Sequence, residues 1–100
     1  MKGPETILIT DDEIQSRALI RKMLENTGQA VRILESDTVA DALEKIRDYS
    51  PDLLFLDVQM KGETGFDLLD KLDNISFEII FITAHNEYAV RAFRYSAMDY

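Results

Sequence analysis

Cysteine is absent, which excludes a disulfide framework and any thiolate chemistry. A reducing compartment is compatible with that absence. Long hydrophobic runs are absent too. No segment approaches the roughly 18 consecutive apolar residues of a membrane span. The opening MKGPETILIT carries too short an apolar run for a secretory signal. A cytoplasmic protein is the expectation. Positive charge is scarce: 11 lysines and arginines stand against 19 acidic residues, for a net charge of −8. Such a chain is not expected to grip nucleic acid or an anionic membrane by itself. It suits cations and basic surfaces, or simply solubility. Nothing repeats and no low-complexity linker interrupts the chain. Its 100 residues, 46% of them hydrophobic, therefore read as one domain, 1–100, with one core.

What is present is an alternation of two patterns. TILIT (6–10) is short, β-branched and apolar, as a buried strand should be. From 12 to about 27 the spacing turns helical, with Ile14, Ala18, Ile20, Met23, Leu24 and Thr27 three or four apart. Asp12 is the expected N-cap, Gln15 follows three later, and Gly28 stops the helix. Residues 30–36, AVRILES, read as a second strand whose mixed facing suits a sheet edge. Val39, Ala42, Leu43 and Ile46 make a helical stripe, capped by Asp37 or Thr38 and ended by YSPD. Residues 53–58, LLFLDV, are apolar apart from Asp57, which suits a strand covered on both faces. A loop with Gly62 and Gly65 leads to a short helix carrying Phe66, Leu69 and Leu72. Residues 77–83 read as a fourth strand and 87–96 as a further helix. Strands alternating with helices imply parallel pairing through right-handed crossovers, hence an open α/β sheet. Ligands in such sheets lie beyond the carboxyl ends of the strands, where strand order reverses.

The stretch FLDVQM poses the chemical question, because an ionised carboxylate among apolar residues is costly without a partner. The first strand runs into Asp11, Asp12 and Glu13, the third into Asp57, and the fourth into Thr83, Ala84 and His85. Parallel packing brings these ends to one rim. Carboxylates crowded this way hold their protons unless a cation is present. Hard oxygens without His or Cys favour Mg²⁺ over zinc. A carboxylate beside Mg²⁺ can attack a phosphoryl group and become an acyl phosphate, with Thr83 donating to a phosphoryl oxygen. Each residue also has a plain structural use. Asp11 and Asp12 can cap a helix, Asp57 can end a strand, Thr83 is a β-former, and His85 reads as a loop histidine. The joint placement at the ends of three strands is what favours chemistry.

ILITDDE (7–13), PDLLFLDVQM (51–60) with TGFDLL (64–69), and IIFITAH (79–85) together resemble a response-regulator receiver domain of two-component signalling. HNEYAVRAFRYSAMDY (85–100) further resembles receivers of the LytTR type, usually fused to a C-terminal DNA-binding domain. The resemblance implies a flavodoxin-like doubly wound parallel sheet of strand order 2-1-3-4-5. It implies that Asp57 accepts a phosphoryl group from a sensor histidine kinase, and that Asp11, Asp12 and Asp57 hold Mg²⁺ with the backbone carbonyl of Gln59. It further implies that Thr83 is a switch hydroxyl and Tyr100 a switch aromatic turning inward when Thr83 moves. Beyond modification of Asp57 itself, no enzymatic turnover is implied. A helix face with Tyr88, Arg91, Arg94 and Tyr95 is a candidate partner surface or a solvated face.

Two departures from the family pattern stand out. Lys61 occupies a position where a proline is usual. The sequence also ends at Tyr100, before the family's fifth strand, its phosphoryl-pairing lysine and its fifth helix. The expectations are weakened phosphorylation with Mg²⁺ binding retained, and self-association through the edge of the fourth strand. Two rival functions fit parts of the pattern. A phosphatase-like hydrolase with an aspartyl nucleophile needs a second acid two residues after it, where Gln59 stands. A protein-interaction module that no longer phosphorylates would not need Asp11, Asp12, Asp57 and Thr83 together.

Overall fold

The computed structural model describes residues 6–29, 31–60 and 62–82. The expected helix at 87–96, and Thr83, His85 and Tyr100, lie outside the described residues. β1 (Thr6–Thr10), β2 (Arg32–Ser36) and β3 (Leu53–Asp57) are followed by the two-residue strands β4 (Gln59–Met60) and β5 (Glu63–Thr64), which pair with each other, and by β6 (Glu78–Ile82); β1, β2, β3 and β6 form one sheet in the order β2-β1-β3-β6. All three pairings are parallel. Parallel strands cannot be joined by tight turns, so each connection carries a helix. α1 (Ile14–Glu25) follows β1, α2 (Val39–Tyr49) follows β2, and α3 (Gly65–Asp70) precedes β6. The chain steps outward from β1 to β2, then returns to place β3 on the other side of β1. That reversal opens a crevice at the carboxyl ends of β1 and β3. The expected order 2-1-3-4 is thus present, with β6 as the fourth strand, and β2 is the edge its mixed facing suggested. Among the described residues β6 pairs with β3 alone.

Alternation along the strands builds the core. Leu8, Leu54, Leu56, Ile79 and Phe81 point to one sheet face and are buried, where they meet Val39 and Ala42 of α2 and Phe66, Leu68 and Leu69 of α3. The rings of Phe66 and Phe81 lie 5.2 Å apart, tilted by 33°. Each such side chain contributes about 1.5–3 kcal/mol on burial. α2 begins as its sequence indicates, with the Thr38 hydroxyl accepting from the Asp41 N–H at 3.0 Å. It ends at Ser50, which takes up a left-handed φ of 46°.

α1 departs from expectation. It starts at Ile14, and Glu13, not Asp12, occupies the cap position without a side-chain cap. The Asp11 carboxylate accepts the Glu13 N–H at 2.9 Å, which forms a local turn in place of a cap. The inward face also differs. Ser16, Arg17, Ile20, Arg21 and Leu24 are half-buried, whereas Ile14 is 70% and Met23 61% exposed. The physical reason is Glu35 on β2. Arg17 and Arg21 both bond to it, which turns their side of the helix to the sheet while their aliphatic stems cover apolar surface.

α3 is short, and its first turn is fixed by a capping box. Thr64 accepts from the Asp67 N–H at 3.2 Å, and Asp67 accepts from the Thr64 N–H at 2.8 Å. It presses against the end of β3, where the Gly65 N–H donates to the Val58 carbonyl at 2.8 Å. A Cβ on Gly65 would stand 2.5 Å from the Asp57 carbonyl oxygen and 2.9 Å from Leu56 Cγ. Two of the obstacles are thus backbone and core. Gly65→Ala is therefore expected to cost about 1–3 kcal/mol, as overpacking does, by urea denaturation. An unchanged midpoint would show that α3 does not lie this close to β3.

Candidate metal centre

Two strand ends supply the centre. β1 delivers Asp11 and Asp12, and β3 ends on Asp57. One carboxylate oxygen from each of the three lies within 4.8 Å of the others. Asp11 is 2% exposed, and Asp12 and Asp57 are half-buried. These three residues are the ones singled out from the sequence, and the fold brings all of them together. Gln59 stands close by in a small hairpin of β4 (Gln59–Met60) and β5 (Glu63–Thr64), and its N–H donates to Asp57 Oδ1 at 3.1 Å. Thr83 and Tyr100 fall outside the described residues.

The backbone at the site is held firmly. The Asp11 N–H donates to the Ser36 carbonyl at 3.0 Å. Its own carbonyl accepts from Arg17 Nη1 at 2.7 Å. After Asp57, the Val58 N–H donates to the Ile82 carbonyl at 3.2 Å. Asp57 is thereby fixed from β6 and from α3, and Asp11 from β2 and from α1.

Asp57 bears the electrostatic consequence. Burial, then the Asp11 charge, push its carboxyl from an ordinary 3.8 up to about 7. The Gln59 N–H opposes this in part, whereas a hydrogen bond with Asp11 and the Asp12 charge add to it. Glu35 goes the other way. Burial raises its pKa, but the Arg21 and Arg17 hydrogen bonds outweigh that and hold it below the usual carboxylate value. The donor set suits a hard divalent cation. Three carboxylates with no His or Cys match the oxygen ligation of Mg²⁺, which binds through one or two carboxylates and keeps several waters. The fit is chemical as well, since a nearby cation would counter both the burial and the acidic neighbours that raise the Asp57 pKa.

Sequence reasoning missed two features. A groove of about 540 Å³ opens beside Asp12, walled by Glu13, Gln59, Glu63, Thr64 and Asp67. Its wall is the β4–β5 hairpin, whose strands of two residues each are too short for any periodicity. The signal that was available is Thr64 followed three later by Asp67, the capping-box spacing. The second is the Arg17–Glu35–Arg21 network, foreshadowed by two arginines four apart on α1.

The comparisons with known proteins agree with this geometry. The family model described as the response regulator receiver domain matches residues 7–100. Sensory transduction protein LytT of Enterococcus faecalis is 40% identical over 96 residues, covering 94% of this chain and 40% of that protein. LytT of Bacillus subtilis is 38% identical over 96 residues, with the same coverage of 94% and 40%. The chain thus spans about two fifths of the length of these curated relatives. Response regulator protein TrrA from Thermotoga maritima, solved in complex with Mg²⁺-BeF, superposes with a TM-score of 0.82 at 28% identity. The match covers 96% of this chain and 84% of that one.

The Asp57 shift carries a stability consequence. A carboxyl whose folded pKa lies above its unfolded value favours the fold fully below the unfolded value, near 4. That contribution is lost as pH rises through about 7. Asp57→Asn is therefore expected to raise the melting temperature of the metal-free protein at pH 8, on the order of a few degrees. At pH 5, where Asp57 is protonated, the substitution should change it little. An equal shift at both pH values in a thermal melt would contradict the assignment.

Proposed function

This chain belongs to the response regulator receiver domain family, and from that premise we propose that it accepts a phosphoryl group on Asp57 from a sensor histidine kinase. The observation that carries the reading is the convergence of Asp11, Asp12 and Asp57 within 4.8 Å at the ends of β1 and β3. Mg²⁺ is the cation this reading requires, held by Asp11, Asp12 and Asp57 together with the Gln59 carbonyl. When bound it neutralises charge on the carboxylates and on the phosphoryl oxygens.

The chain's own residues do the rest. Asp57 is the nucleophile. One of its carboxylate oxygens attacks phosphorus in line with the departing nitrogen of a phosphohistidine. The O–P bond forms as the P–N bond breaks, and the electron pair leaves with the imidazole. Attack needs the ionised carboxylate, so the raised proton affinity of Asp57 is a brake that cation binding releases. The Gln59 N–H holds Asp57 Oδ1 in place at the strand end. Positioning and charge neutralisation supply the catalysis, and turnover is confined to the modification of Asp57 and its reversal.

Thr83 is proposed to donate its hydroxyl to the new phosphoryl group, and Tyr100 to follow it inward. Phosphorylation would then bias an equilibrium between two arrangements of that part of the domain. A DNA-binding output domain is proposed for the parent protein, controlled by that equilibrium. No helix among the described residues is long and apolar enough to cross a membrane.

Incubation with acetyl phosphate and Mg²⁺, followed by intact mass and peptide mapping, tests the proposal. A gain of one phosphoryl group on Asp57 is expected, abolished in Asp57→Asn and by chelation. Asp12→Asn should slow labelling on the order of tenfold or more at limiting Mg²⁺. Labelling elsewhere, or labelling indifferent to Mg²⁺, would overturn the reading.

A further inference from the structure

Arg17 is barely exposed, at 14% of its side chain, and it makes two bonds in different directions. Its Nη1 donates to the Asp11 carbonyl at 2.7 Å, and its Nε donates to Glu35 Oε1 at 3.0 Å. Glu35 is anchored in turn. Its other oxygen takes Arg21 Nε at 2.6 Å, and its backbone carbonyl takes Lys45 Nζ at 2.6 Å. The next residue, Ser36, accepts the Asp11 N–H at 3.0 Å. Both sides of the Asp11 residue are therefore tied to consecutive residues of one edge strand, directly through Ser36 and indirectly through Arg17 on Glu35.

We propose that the Arg17–Glu35 pair is a positioning device for the metal centre: it locks the Asp11–Asp12 turn and so sets how its carboxylates face Asp57. Its functional consequence rests on the phospho-accepting reading above. Arg17 bonds to the backbone of Asp11 and to Glu35, so it is a positioning residue. A planar guanidinium fork can hold a carbonyl and a carboxylate at once in fixed geometry, which an ammonium on a flexible stem cannot. Ligand groups displaced by even 1 Å lose much of their effect, so a clamp on the backbone of one ligand bears on the whole centre.

Arg21 supplies the internal control. It bonds to the same carboxylate, but its second bond goes to the Ile33 carbonyl at 3.1 Å, away from the acidic turn. A brace that merely ties α1 to β2 would make the two arginines equivalent. A positioning role makes them different.

The test compares Arg17→Met, Arg17→Lys and Arg21→Met with the wild type. Mg²⁺ affinity is read by calorimetry, and exchange of the Glu13 N–H by NMR in metal-free protein. That N–H reports the turn directly, because it bonds to Asp11 Oδ1. Arg17→Met is expected to weaken Mg²⁺ binding about tenfold and to speed Glu13 exchange. Arg21→Met loosens Glu35 but leaves the Arg17 Nη1 bond to the Asp11 carbonyl in place, so it should change both clearly less than Arg17→Met does, whatever its effect on urea stability. Arg17→Lys should resemble Arg17→Met. Equal effects of Arg17→Met and Arg21→Met would overturn the proposal, as would no effect of Arg17→Met. Full recovery by lysine would overturn it too, since charge alone would then suffice. If the wild type took up no Mg²⁺, the phospho-accepting reading would fail, and the exchange comparison would still decide whether Arg17 holds the turn.

Discussion

A carboxylate at the end of an apolar strand must find compensation for its charge, and at Asp57 that constraint governs the whole rim of the molecule. Four apolar residues precede it in β3, and Asp11 and Asp12 bring two more acids beside it. The Gln59 N–H offsets only part of the cost of burial and of the acidic neighbours, and the balance is a carboxyl raised to about 7. Arg17 and Arg21, the arginines of α1, give their charge to Glu35, which lies below the usual carboxylate range. A neighbourhood with cations to hand thus places them on a structural glutamate. The site's electrostatics suit a divalent ion, which would offset the charge crowded around Asp57.

Topology makes the constraint possible. Because β1 and β3 are adjacent and parallel, their carboxyl ends share one rim, and the order reversal between β2 and β3 leaves that rim open. Close packing then sets the geometry. Gly65 lets α3 approach the Asp57 carbonyl closer than any side chain would permit. The Gly65 N–H to the Val58 carbonyl and the Val58 N–H to the Ile82 carbonyl hold the strand end from two sides. The same packing that buries Phe66 against Phe81 therefore positions the Asp57 carboxylate, so the core and the acidic centre share their contacts here.

The strands were legible because short runs of three or four apolar residues have few other uses, and TILIT and LLFLD lie where their sequences indicate. Alternation with helices yielded the parallel sheet, and with it the convergence of Asp11, Asp12 and Asp57. The start of α2 was legible to within a residue because Asp37 and Thr38 are both capping types, and Thr38 is the one that accepts the Asp41 N–H. Asp12 was misread as a cap because the turn that places the acidic pair at the rim moves the helix start to Ile14. The inward face of α1 was hidden because two arginines turn toward the sheet to meet Glu35, and their spacing of four shows a shared face but not the distant partner it meets. The β4–β5 hairpin was hidden by its length, two residues per strand. Thr83 and Tyr100 lie outside the described residues, and the roles proposed for them rest on the family pattern.

The account stands on one ion being shared by residues from two strand ends. Replacing Mg²⁺ by paramagnetic Mn²⁺ and following amide line broadening by NMR locates that ion without requiring any reaction. Broadening centred on Asp12, Glu13, Val58 and Gln59, and lost in Asp57→Asn, is the predicted result. Broadening centred on Glu63 and Asp67 in the neighbouring groove, or spread evenly over the acidic surface, would contradict it.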